Sequence, residues 1–380
     1  MMVDASELEG RSFNCLEGCG MCCLCQPELS DEELKIFETD QYLKSALTKE
    51  HVDGRRTAKQ NAIKLQGECG ACYFLKNRLC TIHEIKPHFC RQFPVHVHLL
   101  RRAQLNVNLS CRGVTDGGNS LKTYGRTLIT SIPESILSNT LGDVKRVLHD
   151  FDKMCHEAGI FQTPERMKSV ATLLLPELGR EDGIGKLLAF ADDEPEIGGM
   201  PEDEVAERVR AMRPAKDLEI VARDSNYEQF GLNEIAKLPV YVDENFCWNL
   251  IQSKEGKINW MVLEEDGSVE VKMRLDPNEI SLLKRDEGAL RTFSKYAKIL
   301  TTRDAFLGNV YNVCDMHGYR HDLITVYLGV LGTTMLDLWW RASLLGRVEN
   351  ARKIDAKMAM EGIRAFDMDC LDAPTFGAFI

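Results

Sequence analysis

Apolar residues recur at helical spacing along most of the chain, and in one stretch they switch to alternation. In 134–157, Ile136, Leu137, Leu141, Val144, Val147, Leu148 and Phe151 share one face of a 3.6-residue repeat, and Gly159 stands where a C-cap glycine belongs. Thr163-Pro164-Glu165 reads as an N-cap followed by proline at the first helical position, where its missing N–H costs nothing. Residues 120–190 are therefore expected to be helical. Earlier, Ser30 and Glu33 have the spacing of a capping box, with Leu34, Phe37, Tyr42 and Leu43 as the apolar stripe behind it. The polar, basic stretch 53–66 is expected to form a second helix there, and Asp116-Gly117-Gly118-Asn119 a closing turn.

Between 239 and 275 the period is two. Trp248 and Leu250, then Ile258, Trp260 and Val262, then Val269, Val271, Met273 and Leu275 alternate with polar residues, with Glu255-Gly256 and Asp266-Gly267 as turns. That pattern predicts a three-stranded antiparallel meander. Asp276-Pro277-Asn278-Glu279 is expected to restart helix, and most of the remainder reads as helical. The uncharged run 323–336 is 14 residues long, with Asp337 and Arg341 following. A membrane span needs about 20 apolar residues, so this run is expected to be a buried core helix, with Trp339-Trp340 as packing anchors. Residues 192–204 carry seven carboxylates, no Lys or Arg, and Gly198-Gly199, the composition of a solvated linker. The fold class that follows is α+β and helix-rich. An N-terminal cysteine-cluster domain spans 1–118, a helical extension 119–191, an acidic linker 192–204, and a C-terminal domain of antiparallel meander plus helices 205–380.

The 380 residues are 44% hydrophobic and 28% charged, as in folded globular chains. Net charge is −11, from 47 Lys and Arg against 58 Asp and Glu. Nucleic-acid backbones and anionic membranes both need clustered cations, so neither is expected as a partner. The opening Met1-Met2-Val3-Asp4-Ala5-Ser6-Glu7 is acidic and lacks the apolar core of a secretion signal, which leads us to expect a cytoplasmic, reducing setting. There, 14 cysteines change the picture, because ten of them fall between Cys15 and Cys111. Dense thiols in a reducing compartment indicate metal or redox chemistry ahead of disulfides.

The first group is Cys15-Leu16-Glu17-Gly18-Cys19-Gly20-Met21-Cys22-Cys23. Short glycine-containing gaps let a loop turn back and aim several thiolates at one point. Neighbouring side chains tend to diverge, so Cys22-Cys23 indicates two metal sites, or a polynuclear cluster with one cysteine to spare. The second group is Cys72-Tyr73-Phe74-Leu75, Cys80-Thr81-Ile82-His83 and Lys86-Pro87-His88-Phe89-Cys90-Arg91-Gln92-Phe93-Pro94, followed by Cys111-Arg112-Gly113. Arg91 either offsets thiolate charge or makes a surface ion pair. Structural zinc favours two Cys-x2-Cys knuckles, and only Cys69/Cys72 and Cys19/Cys22 have that spacing. A short run plus a distant cysteine is the iron–sulfur pattern, and Cys15, Cys19, and Cys22 or Cys23 with a later partner fit it. An iron–sulfur cluster, in the 4Fe-4S form, is the expected cofactor, with zinc as the alternative.

Taken together, Cys15-x3-Cys19-x2-Cys22-Cys23 with Leu29-Ser30 and Glu33, then Cys72-x-Phe-Leu, Cys80-x-Ile-His, Lys86-Pro87, Cys90-Arg91-x-Phe-Pro and Cys111-x-Gly resemble the YkgJ-type cysteine-cluster family, a zinc- or iron-chelating domain. The resemblance spans 13–118. It implies that Cys15, Cys19, Cys22, Cys23, Cys72, Cys80, Cys90 and Cys111 are the metal ligands. His83 stands where that family usually has Tyr and Lys86 where it usually has Arg, and Cys25 and Cys69 are additional. Some proteins with a related cluster resemble the flagellin lysine N-methylase type. That resemblance would make this chain an iron–sulfur-dependent protein lysine N-methylase, although no methyl-donor site is recognisable in the sequence. Cys15-x3-Cys19-x2-Cys22 also has the radical S-adenosylmethionine spacing, but Met21 occupies the place of the usual aromatic residue and too little chain precedes Cys15 for the usual first strand.

Two smaller signals remain. Cys314, His317 and His321 have the spacing of one helix face, which suits a metal but equally a polar seam between helices. His96 and His98 alternate on Val95 to Leu99, which reads as a strand, and share one side of it. No Gly-rich phosphate loop, serine-nucleophile motif or paired zinc-protease histidines occur. The leading expectation is a metal-cluster protein in electron transfer or redox chemistry with a protein partner. The lysine N-methylase and a zinc-stabilised interaction module are the competing readings, so whether the chain is an enzyme stays open.

Overall fold

The structure is a computed structural model describing residues 3–52, 54–67, 69–195 and 197–380. Helix accounts for 50% of it and strand for 16%, distributed as the helix-rich α+β reading requires. The largest core is helical. Helix Glu134–Glu157 forms over the residues that its apolar stripe predicts, and turns Leu137, Val144, Leu148, Phe151 and Cys155 inward. It ends where Gly159 takes φ +73° and Ile160 N–H reaches back to the Cys155 carbonyl. Helix Pro164–Leu178 starts on Thr163, whose hydroxyl accepts from Arg166 N–H. These two pack with Gly183–Asp192, Glu202–Ala211, Glu287–Thr302 and Asp304–Met316 around Leu323–Val348. Leu323–Val348 is apolar on nearly every side, which suits a helix surrounded by others. By length and composition it could cross a membrane, but 72% of its most apolar window is buried inside the chain. Its buried charges are met by neighbours. Asp337 accepts from Ser225, Asn226 and Gln229, and Arg341 donates to Asn226, Gln229, Ala365 and Asp369.

A second core lies under a four-stranded sheet of Val3–Asp4, Ala103–Val107, Val95–Leu99 and Ala378–Phe379, in that order. The first pair is parallel and the others antiparallel. All five residues of Ala103–Val107 are buried, as befits a central strand. Arg303, 1% exposed, ties this sheet to the helices. It pairs with Glu7 at 2.8 Å and Asp367 at 2.6 Å, and donates to the Val107 carbonyl.

The meander has four strands, Val240–Val242, Trp248–Lys254, Lys257–Leu263 and Val269–Leu275, one more than expected. Its two central strands bury both faces. Ile251, Ile258 and Trp260 join the helical core, while Trp248, Leu250, Met261 and Leu263 join a third core with the cysteine segment. The register Leu250↔Met261 and Ile251↔Trp260 keeps each pair on its own side. The meander thus stands between helical body and cysteine segment, and positions the site.

Four expectations need correction. Residues 54–66 are not helical: Ala62–Ile63 pairs as a strand with Leu47–Thr48, because only these two apolar residues are fully buried and no 3.6-residue stripe exists to bury. Asp276 caps only the short turn Pro277–Glu279, and helix resumes at Glu287 under an Asp286 cap. Cys314, His317 and His321 do not share a helix face, because the helix ends at Met316 and Gly318 and Tyr319 take φ +67° and +59°. The acidic stretch does not separate the buried cores. Ile197 is 3% exposed in the same core as Leu187 and Val205, and residues 202–204 are the first turn of Glu202–Ala211. Asp53 and Glu196, which belong to two of these stretches, lie outside the described residues.

Candidate metal centre

The cysteine segment has little regular structure, so its loops are held by individual contacts. Strand Arg11–Phe13 pairs with Val114–Asp116, and Asn14 N–H donates to the Gly113 carbonyl, which brings Cys15 beside Cys111. The chain then turns through Gly18 and Gly20 at φ +82° and +62°. At Gly20 a Cβ would stand 2.8 Å from the Trp248 ring, so both the backbone and the close approach call for glycine. Trp248 Nε1 donates to the Cys19 carbonyl at 2.8 Å. A single 3-10 turn, Met21–Cys23, presents the next two thiols.

The second group is placed onto the first. Cys72 N–H donates to the Cys23 carbonyl at 2.7 Å. The hairpin Leu75–Lys76/Leu79–Cys80 sets Cys80 opposite Leu75, and its turn residues Asn77 and Arg78 both have positive φ. Arg78 holds that turn against the meander: its guanidinium lies 3.4 Å from the centroid of the Trp248 ring and 3.5 Å from Glu265, and its N–H donates to Glu265. Cys90 sits on the short helix His88–Gln92. Glu33 anchors it, accepting from Ser30 N–H in the capping box, from His88 N–H at 2.6 Å, and pairing with Arg91. Arg91 is therefore the surface ion pair of the two roles weighed for it.

Cys15, Cys22, Cys23, Cys72, Cys80 and Cys90 line one cavity of about 330 Å³, whose remaining wall is largely apolar, with Leu16, Ile63, Phe74, Leu75 and Ile82. Cys19 and Cys111 lie outside that lining; the Cys111 thiol feels Cys19, Cys22 and Cys15. Of the additional thiols, Cys25 donates to the Cys22 carbonyl at 3.3 Å, whereas Cys69 points to the Gly267 carbonyl of the meander. Among the described residues no three His, Cys, Asp or Glu side chains are arranged to hold a single metal ion. The thiols surround a space instead of converging on a point.

Adjacent Cys22 and Cys23 do not diverge. The Cys23 thiol is hydrogen-bonded to both Cys22 and Cys80. It keeps its proton, while hydrogen bonding to it lowers Cys22 to about 7 and Cys80 to about 6. Burial pushes Cys72 up to about 11, and raises Cys15, Cys19 and Cys90. Three adjoining thiols in an apolar pocket, two of them shifted towards ionisation, form an arrangement that a cation relieves, since metal replaces the protons as it binds. Lys86, in the cavity lining, supplies a positive charge that acts on Cys15, Cys22 and Cys80.

The histidine signals lead elsewhere. His96 and His98 lie on Val95–Leu99, and burial pushes both down to about 4. His98 is fully buried against Phe379, with neither ring nitrogen hydrogen-bonded. Neither lines the cysteine cavity. Cys314 has Cys155 as its partner, thiol to thiol, while His321 pairs with Glu194. The Cys155 contact was not legible in the sequence. Arg112 was also missed: its buried guanidinium pairs with Glu361 and donates to the Val242 carbonyl, tying the loop after Cys111 to the body.

Residues 14–112, roughly a quarter of the chain, match the family model CxxCxxCC, described as a putative zinc- or iron-chelating domain. This bears out the resemblance read from the cysteine spacing and supports metal binding by this segment. No curated protein and no solved structure matches the chain.

Proposed function

We propose that residues 1–118 hold an iron–sulfur cluster of the 4Fe-4S kind, which exchanges electrons with a protein partner. The observation that supports this reading best is the shape of the thiol array. Zinc binds sulfur at about 2.3 Å, so four ligands close on a point and leave no hollow. Six thiols around a space of about 330 Å³ suit a polynuclear cluster, which takes thiolates at its corners. Four of Cys15, Cys22, Cys23, Cys72, Cys80 and Cys90 would hold it, one to each iron, with the other two and the neighbouring Cys19 and Cys111 making up the rest of the set of eight. Bound, the cluster supplies reversible one-electron chemistry. The chain supplies an apolar wall that excludes water and the Lys86 charge that offsets the thiolates, both of which act on a cluster's potential. Such a centre needs reduced thiols, which fits a cytoplasmic setting. The parts 119–191, 192–204 and 205–380 form the body to which this unit is attached.

The family description names zinc as well as iron, so a zinc-stabilised interaction module is the reading that follows if iron is absent. Nothing among the described residues favours the lysine N-methylase. The test is metal and acid-labile sulfide analysis, with a visible absorption spectrum, on the full chain purified without oxygen. Iron and sulfide in equal amounts and a brown colour are expected. Zinc without sulfide overturns the iron–sulfur reading.

A further inference from the structure

We propose that residues 374–380 are a strap over the sheet that acid releases, with protonation of His98 as the trigger. The strap is held by few contacts. Ala378–Phe379 pairs with Leu99 and His98 at the edge of the sheet, and Ile380 N–H donates to the Val97 carbonyl. Before that, Phe376 N–H donates to the Gly308 carbonyl, Thr375 Oγ1 to the Ala305 carbonyl, and Asn309 Nδ2 to the Pro374 carbonyl. None of the seven residues is buried as a core residue is. A two-residue edge strand of this kind belongs to the low-stability end of a fold, which opens before the rest.

Beneath the strap lies a side chain that is costly to charge in place. His98 is 0% exposed, with its ring 4.7 Å from that of Phe379. Gly377, at φ +112°, comes so close that a Cβ there would stand 2.8 Å from His98 Nε2. A neutral imidazole offers one donor and one acceptor, and here neither nitrogen has a partner. An imidazolium would present two donors to the same absence of acceptors, so the ring stays neutral while it is covered. The charges around it are already engaged. Asp304, on the helix packed against this strand, favours protonation of His98 but is paired with Arg102 and Lys168. Asp152, on Glu134–Glu157, is paired with Arg101. Across the sheet His98 faces the uncharged Gln104. His96, on the same side of the strand, keeps Asn108 as a partner and faces the Arg303–Asp367 pair, which leaves His98 as the trigger. Burial holds His98 down to about 4, against an ordinary value of 6.5. Once the strap lifts, water reaches the ring and the ordinary value returns. The stability that a neutral His98 lends to the closed strap is therefore full above pH 6.5, and is lost as the pH falls from there towards 4.

The test is hydrogen exchange by mass spectrometry on the full chain, read on the peptide that holds 374–380 at pH 7 and at pH 5. Comparison with His98→Gln at each pH cancels the pH dependence of exchange itself. Opening of the strap in the parent should rise about twentyfold relative to the variant between the two pH values, with Leu323–Val348 protected equally in both proteins. A ratio that does not change with pH overturns the trigger, and so does a loss of protection that spreads equally over Leu323–Val348. The histidine ring resonances give a second reading, which stands even where His98→Gln does not fold. His98 should titrate below 6.5 in the parent and shift upward in Gly377→Ala, whose Cβ crowds the ring and forces the strap away. The shift is required because coupling between strap and proton is reciprocal. A His98 that titrates at its ordinary value in the parent, or whose value is unmoved in Gly377→Ala, overturns the proposal.

Discussion

The cysteine segment and the helical body bury their apolar residues by different means. In the body, helices of 24 and 26 residues present continuous stripes to one large core. In the segment, the strands flanking the cavity are two residues long and the helices nine or five. The segment relies on single contacts around thiols that repel once ionised. We therefore expect the body to be stable on packing alone and the segment to depend on its metal. The meander joins them, giving one face to each, so loss of metal has a definite wall at which to stop.

Removing the metal should have the largest effect and should separate the regions most clearly. Metal-binding free energy in cysteine-rich domains is folding free energy, on the order of 10 kcal/mol for structural sites. Chelation, or Cys80→Ser, should open residues 14–93 to proteolysis while Glu287–Val348 stays protected. Hydrogen exchange read by mass spectrometry locates the change. Equal protection of both regions with no metal bound would break the comparison.

The next largest effect should come from the wall itself. Trp248 is fully buried, carries the Arg78 guanidinium on its ring, donates to the Cys19 carbonyl, and fills the space that Gly20 leaves. Trp248→Ala should cost about 3–5 kcal/mol, the range for buried aromatic truncation. The loss should fall on the cysteine side first, as reduced metal retention, before the helical body melts. Denaturant unfolding alongside metal release measures both, and release unchanged from the parent would show that the wall is passive.

The helical body was legible because its signals are local. The stripe of Glu134–Glu157, the Thr163 cap with Pro164, and the Ser30 and Glu33 box each lie within a few turns of sequence. The cysteine spacing was legible for a related reason: metal chemistry imposes short gaps. What joins the regions was not. Trp248 and Cys19 lie 229 residues apart, and Arg112 and Glu361 lie 249 apart. Alternation in 248–263 shows a strand but cannot say that both faces are covered, since the polar positions Asn249 and Gln252 are buried too, each with its own hydrogen bonds. Nor does adjacency of Cys22 and Cys23 reveal that one proton-bearing thiol meets both Cys22 and Cys80.

The second fastening between the regions is ionic and should count for less. Arg112 pairs with Glu361, which also accepts from Tyr241 and pairs with Arg364. Removing one partner of a buried pair costs about 3–5 kcal/mol when the other is stranded, and Glu361 keeps two partners, so Arg112→Met should cost about 3 kcal/mol or less. The double variant with Glu361→Gln should recover part of it. A double variant that only adds the two losses would show that the pair does not fasten the segment to the body.

The smallest effect should sharpen the comparison from the other side, by touching the body alone. Asp337 is 5% exposed, and burial raises it from 3.8 to about 6 despite Arg341 and three donated hydrogen bonds. A carboxyl whose native pKa is raised costs the fold nothing while both states are protonated, below the unfolded value of 3.8. Stability is then lost as the pH rises from there through about 6, because the unfolded chain ionises first. The difference in stability between the parent and Asp337→Asn should therefore move in the parent's favour, by on the order of 1–3 kcal/mol, as pH falls from 7 to 4.5. Exchange of the amides of Leu323–Val348 reads it out without depending on acid-labile metal in the other region. Parallel pH profiles for the two proteins would mean that Asp337 is not raised in the native body, and that Arg341 and the three donors offset the burial around it.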